Sequence, residues 1–310
     1  MARVVPADYQ SSVRTPGDFE AFWGDVLRQA AEIPLDVEMT PDPLRTADDV
    51  ETFQVYYTSL ERVRIAGWYC RPPRRAERRP AIVYLPGYQM DPPIPKDWAR
   101  KGYCALSVAP RGKLRSTRQF NPGYPNLLTH NIVDRHTYAY RGFYLDTWRA
   151  VDVLLSRPEV DPERIGVTGS SQGGGLTITT AAMRREIRAA AAGAPYLCGY
   201  MDAIALTHTY PYEEINDYLR RHPDQRRAVE DTVAYFDGIS FADRIRCPII
   251  VNIGLQDNVC PPETGYALFN RIRAADKRLY VYDGHGHDAG RATHAAVVDD
   301  FFATHLRNER

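Results

Sequence analysis

From residue 81 onward the chain keeps repeating one pattern, a short apolar run followed by a stretch with helical spacing. The runs fall at 81–85, 104–109, 165–168, 189–192, 249–253 and 279–282. Apolar strands that alternate with helices must be covered on both faces, because each crossover helix packs back onto the sheet. The pattern therefore predicts an α/β fold with a mostly parallel, doubly covered sheet. Ahead of it, residues 51–70 alternate instead. Phe53, Val55 and Tyr57 lie on one side, and Val63 and Ile65 follow a polar break, which predicts an antiparallel hairpin at the edge of the sheet. Earlier still, Thr15-Pro16-Gly17-Asp18 reads as a helix start, with Thr15 as cap and Pro16 at the first helical position. Phe19, Phe22, Trp23, Val26, Leu27 and Ala30 then form an apolar stripe at helical spacing.

With 310 residues, 44% of them hydrophobic, one large core is expected, and residues 1–310 are read as a single domain. Two segments break the alternation. Residues 110–142 are rich in Arg, Asn, Pro and Tyr, and residues 196–238 carry helical spacing and many aromatics. Both are read as insertions over the active-site end of the sheet or as contacts between subunits. Residues 71–80 form a Pro/Arg-rich connection.

Lys plus Arg equals Asp plus Glu at 39 each, and no basic run is present, so nucleic acid is not an expected partner. There is no apolar leader region and no run near the roughly 18 apolar residues that span a bilayer, so no membrane partner and a cytoplasmic location are expected. Five scattered cysteines without C-x-x-C spacing suit reduced thiols and give no zinc-finger pattern.

The segment Gly169-Ser170-Ser171-Gln172-Gly173 matches G-x-S-x-G, directly after an apolar strand and before a helix-compatible stretch. A serine at such a turn adopts strained backbone angles and projects above the carboxyl ends of the strands, at a helix N-terminus that favours a developing oxyanion. A plain Gly/Ser turn is the bland alternative. The phosphate-loop patterns G-x-x-x-x-G-K-[ST] and G-x-G-x-x-G are absent here. In hydrolases of this type an acid and then a histidine follow the serine on loops after late strands. Asp257 follows the strand at 249–253, and Asp283-Gly284-His285-Gly286-His287-Asp288 follows the one at 279–282. A histidine can take the serine proton and return it to the leaving group, while a carboxylate fixes its tautomer. His208, His222, His294 and His305 fall in stretches read as helical and are taken as surface or packing residues. His285-x-His287-Asp288 also has a metal-site reading, but no second ligand cluster accompanies it.

These segments, together with Asp18-Phe19-Glu20-Ala21-Phe22-Trp23, the stretch 140–146, the stretch 156–175, Tyr235-Phe236-Asp237-Gly238 and the stretch 254–262, resemble the acetyl xylan esterase and cephalosporin C deacetylase family of α/β hydrolases. The resemblance implies removal of short acyl groups, chiefly acetyl, from small acylated substrates such as sugars. It implies no metal or other cofactor, and ring-like homo-oligomers, often hexamers. Residue by residue it makes Ser171 the nucleophile, Asp257 the acid and His287 the base. It makes the backbone N–H groups of Tyr88 and Gln172 the oxyanion donors. The family's His-Gly-Tyr-Gly is here Pro86-Gly87-Tyr88-Gln89, its Arg-Gly-Gln-Gly is Arg111-Gly112-Lys113-Leu114, and its His-Glu is His287-Asp288. The triad types are all retained, while the acyl pocket is open to change. A hydrolase of another ester or lactone, and a non-catalytic binding protein in a hydrolase shell, are the competing readings.

Overall fold

The computed structural model describes residues 6–73 and 77–307. Residues 74–76 of the Pro/Arg-rich connection, and the first five residues of the chain, lie outside the described residues. Nine strands form a single sheet: β1 (Glu38–Pro41), β2 (Glu51–Thr58), β3 (Arg64–Arg71), β4 (Arg79–Leu85), β5 (Cys104–Ala109), β6 (Val160–Ser170), β7 (Ile187–Gly193), β8 (Ile249–Gly254) and β9 (Lys277–Tyr282). Their order is β1-β2-β3-β5-β4-β6-β7-β8-β9. β1, β2, β3 and β5 pair antiparallel, and every pairing from β5 to β9 is parallel. The helices are α1 (Phe19–Ala31), α2 (Lys96–Arg100), α3 (Ala139–Leu155), α4 (Gln172–Met183), α5 (Tyr200–Leu206), α6 (Glu213–Arg221), α7 (Arg226–Val233), α8 (Gly238–Ala242), α9 (Pro262–Arg271) and α10 (Arg291–Phe302).

All six apolar runs became the parallel strands, and residues 51–70 became the β2–β3 hairpin with Phe53 opposite Tyr69. The hairpin is not the edge of the sheet. β1 pairs outside it, through the short polar stretch Glu38-Met39-Thr40-Pro41. So short and polar a segment shows no alternation, and its proline is tolerated because an edge strand leaves one side unpaired. The first helix also starts later than its cap signal predicts. Pro16 opens a turn, in which Phe19 N donates to Pro16 O at 3.1 Å, and the helix begins at Phe19. Asp18 occupies the cap position without capping, because its carboxylate is drawn away to Tyr235 Oη and to Arg135 Nη1 at 3.1 Å.

Successive residues of the central strands feed two cores. Val83, Val167, Ala190, Ala192 and Val251 face the layer of α1, α3 and α4, while Ile82, Ala189, Ala191 and Ile250 meet Phe301, Phe302 and Leu306 on the other face. α3 is buried almost all round, and Trp148 on it lies 4.9 Å from Trp23 of α1. Phe19, Phe22, Trp23, Val26 and Ala30 of the predicted stripe are buried, and Leu27 is half-buried. The direction of strand addition reverses between β4 and β6, since β5 lies on one side of β4 and β6 on the other. Loops leaving the carboxyl ends of strands diverge at such a switch point and open a crevice there.

Candidate active site

β6 delivers Ser171 to that crevice. Its φ of 59° and ψ of −120° place a non-glycine residue in the left-handed half of backbone space, at a cost of about 1–3 kcal/mol that the surroundings must sustain. They do so through the backbone: Ser171 N donates to Gly193 O at 2.9 Å, and Ser171 O accepts from Gly175 N at 3.1 Å and Tyr196 N at 3.0 Å. Gly173 is required by close approach, because a Cβ there would lie 2.1 Å from Leu85 O. The first turn of α4 therefore backs directly onto the end of β4, three residues before Tyr88. Gln172 is the first residue of α4, and its buried side chain donates from Nε2 to Tyr140 Oη at 2.7 Å.

The loops after β8 and β9 meet in the same way. A Cβ on Gly254 would fall 2.1 Å from Gly286 O, and Gln256 N donates to His285 O at 2.9 Å. This contact brings Asp257 and His287 together, with Asp257 Oδ2 2.8 Å from His287 Nδ1. The other carboxylate oxygen accepts from Val259 N at 2.8 Å and Cys260 N at 2.9 Å. The Asp257 side chain is 2% exposed and that of His287 is 32%. A carboxylate fixed by two N–H groups holds the proton of the imidazole at Nδ1 and leaves Nε2 as the acceptor. His285 forms a separate pair with Asp288, Nδ1 to Oδ2 at 2.8 Å, so the two histidines do not converge as a metal site would need. Among the described residues, donors of Asp257, Cys260 and His287 do lie within 4.8 Å of one another. Burial pushes the Cys260 thiol well above its ordinary pKa, which disfavours the thiolate a metal would bind, and Asp257 is already occupied.

A third group of residues stands behind Tyr88. Its ring packs 4.9 Å from Tyr124 and 5.9 Å from Tyr196. Tyr88 Oη donates to Glu214 Oε1 at 2.7 Å and accepts from Leu128 N at 3.1 Å, and Glu214 Oε2 accepts from Asn126 N at 3.0 Å. Burial raises the Glu214 carboxyl above the usual range. Lys113 Nζ donates to Gly87 O at 2.6 Å and to Tyr88 O. The loop carrying Lys113 is anchored by Arg111, whose Nε and Nη2 each reach a carboxylate oxygen of Asp146 at 3.0 Å while both side chains are buried. Thus residues from both predicted insertions, Lys113, Asn126 and Glu214, support one short turn. Sequence reading singled out Lys113 only as a departure and missed Glu214. The one available signal for Glu214 was an acid inside an aromatic-rich helix, which is indistinguishable from its neighbour Glu213, paired near the surface with Arg220.

The remaining histidines serve elsewhere. His208 lies on the exposed loop between α5 and α6 rather than in a helix, because α5 stops at Leu206 and Tyr210-Pro211 interrupt the spacing. His294 is buried on α10 against Tyr282 Oη at 2.9 Å, and burial lowers its pKa to about 4. A groove of about 1230 Å³ lined by Arg164, Arg184 and Arg188 contains none of the predicted site residues, and these arginines are engaged by Asp161, Asp152 and Glu163.

A mostly parallel sheet with a strained serine turn at its switch point and an Asp–His pair on the late loops defines an α/β hydrolase. The Acetyl xylan esterase (AXE1) family model matches residues 6–305, and the chain belongs to that family. It is similar to the acetyl xylan esterase from Paenibacillus sp. R4, with a TM-score of 0.91 and 31% identity over 97% of this chain and 98% of that one. Acetyl xylan esterase 1 from Thermoanaerobacterium sp. JW/SL YS485 superposes with a TM-score of 0.88 at 26% identity, covering 96% and 97%. Acetyl esterase Axe7A of Xylanibacter ruminicola is 29% identical over 284 residues, 86% of this chain, and the chain spans 62% of that relative's length.

Proposed function

We propose that this protein is a serine esterase that removes short acyl groups, acetyl foremost, from acetylated sugars or related small esters. The observation that carries the reading is the 2.8 Å pair of Asp257 and His287 on loops that follow a serine held at φ 59°. In this cycle His287 Nε2 takes the Ser171 proton as Oγ bonds to the acyl carbon, and the N–H groups of Tyr88 and Gln172 receive the oxyanion. The alkoxide leaves with the proton from His287. Water, deprotonated by the same nitrogen, then breaks the Ser171 ester and frees the acid. That both acetyl xylan esterases cover nearly the whole chain supports the substrate class.

The same proposal includes a cytoplasmic homo-oligomer. Five free cysteines, four of them buried, suit a reducing compartment. Ser171→Ala is expected to lower turnover of p-nitrophenyl acetate by a factor on the order of 10⁴ or more. Retained turnover in that variant would refute the mechanism.

A further inference from the structure

Lys113 is 2% exposed, and among the described residues it makes no ion pair. The half-buried Asp91 acts on it through space without a hydrogen bond. A buried ammonium without a carboxylate partner is costly to keep, so its contacts ask for a reason. Those contacts are specific. The Gly87 carbonyl that receives Lys113 Nζ at 2.6 Å belongs to the same peptide group whose nitrogen is Tyr88 N. The second acceptor, Tyr88 O, is the carbonyl of the next peptide, so the lysine grips the turn on both sides of the Tyr88 Cα. The aromatic faces of Tyr88 and Tyr124 lie 5.8 and 5.5 Å from Nζ. A donor on a peptide oxygen withdraws charge from the whole amide and strengthens its N–H as a donor, more so when the first donor is cationic.

We propose that Lys113 is a positioning residue of the oxyanion turn, its ammonium polarising the Gly87–Tyr88 peptide and fixing the direction in which the Tyr88 N–H meets the substrate oxyanion. The inference rests on the esterase reading above and adds a group that never touches the substrate. It also gives activity an alkaline limit. Burial pushes the Lys113 pKa down to about 7, partly opposed by Asp91, so the charge on the turn is lost as pH rises through that region. The titratable groups around Lys113, namely Asp91, Tyr88, Tyr124 and Glu214, are all raised by burial. The tyrosines stay neutral throughout the range in which Lys113 titrates, and Glu214 is held in hydrogen bonds to Tyr88 and Asn126.

The test is steady-state hydrolysis of p-nitrophenyl acetate from about pH 6 to about pH 9, with Lys113→Gln, which keeps a donor without charge, and Lys113→Met, which keeps neither. The wild-type kcat is expected to fall about tenfold on the alkaline side, and Lys113→Gln to lack that limb. Lys113→Met is expected to lose about 10–100-fold in kcat at the acid end, with KM held within about twofold. An alkaline limb that persists in Lys113→Gln, or an undiminished kcat in Lys113→Met, overturns the proposal. If Lys113→Met does not fold, the Lys113→Gln profile decides alone. Turnover that survives Ser171→Ala would overturn the esterase reading and this inference with it, whereas a silent Ser171→Ala beside unaffected Lys113 variants overturns the lysine proposal only.

Discussion

The two sides of the candidate site are built on opposite principles. The Asp257–His287 side uses two short loops that leave adjacent parallel strands, held by backbone contact at Gly254 and Gly286 and by N–H groups next to the acid. The Tyr88 side is assembled from four remote segments, the turn after β4, the loop at Lys113, the stretch at Asn126 and Leu128, and Glu214 on α6. The first side keeps an imidazole partly in solvent, where a proton can come and go. The second buries charge to hold a peptide group still. Local construction suits proton transfer, and remote construction suits a fixed dipole that must not reorganise as charge develops.

The comparison breaks most visibly at Asp257. Asp257→Asn keeps the shape but removes the charge and the tautomer control, and kcat for p-nitrophenyl acetate is expected to drop by a factor on the order of 10⁴ with little loss of thermal stability. On the other side stability should respond first. Asp146→Ala removes the buried partner of the Arg111 guanidinium and leaves it only Glu61, whose side chain is more than half exposed, and urea unfolding is expected to show a loss of about 3 kcal/mol. An Asp146→Ala protein as stable as wild type would show that the loop of Lys113 does not depend on that anchor. The smallest effect is in the pH dependence of stability. Lys113 has a folded pKa lowered to about 7 from an unfolded value of 10.5, so the unfolded chain binds more protons between those values. Below about 7 the cost of burying the cation is fully present, and it is relieved as pH rises toward 10.5. Wild-type stability should therefore gain on that of Lys113→Gln across this window, by an amount on the order of a few kcal/mol at most. Parallel curves for the two proteins would contradict it.

The same contrast explains what could be read in advance. Ser171, Asp257 and His287 each sit where a strand ends, and strand ends are marked by a local switch from apolar run to polar loop. Ser171 and Asp257 were legible for that reason, as were the six parallel strands and the β2–β3 hairpin, whereas the choice of His287 over His285 came from the family resemblance. β1 was not, because four polar residues at a sheet edge carry no period. The true start of α1 was not, because Asp18 is claimed by Tyr235 and Arg135, far along the chain. Glu214 was invisible because its neighbour Glu213 has the same chemistry, and only packing decides which of the two is buried.

Periodicity and strand-end motifs thus determined the six parallel strands, the β2–β3 hairpin, the helices that cover the sheet and the order of serine, acid and histidine, since each depends on residues near one another in sequence. Tertiary structure alone decided that Lys113 lies under the Gly87–Tyr88 turn, that Glu214 holds Tyr88, and that Arg111 meets Asp146. Those contacts join residues 26 to 126 positions apart, and a hydrogen bond between such distant groups leaves no pattern in the intervening chain. It exists only once the strands have set the distance between their loops.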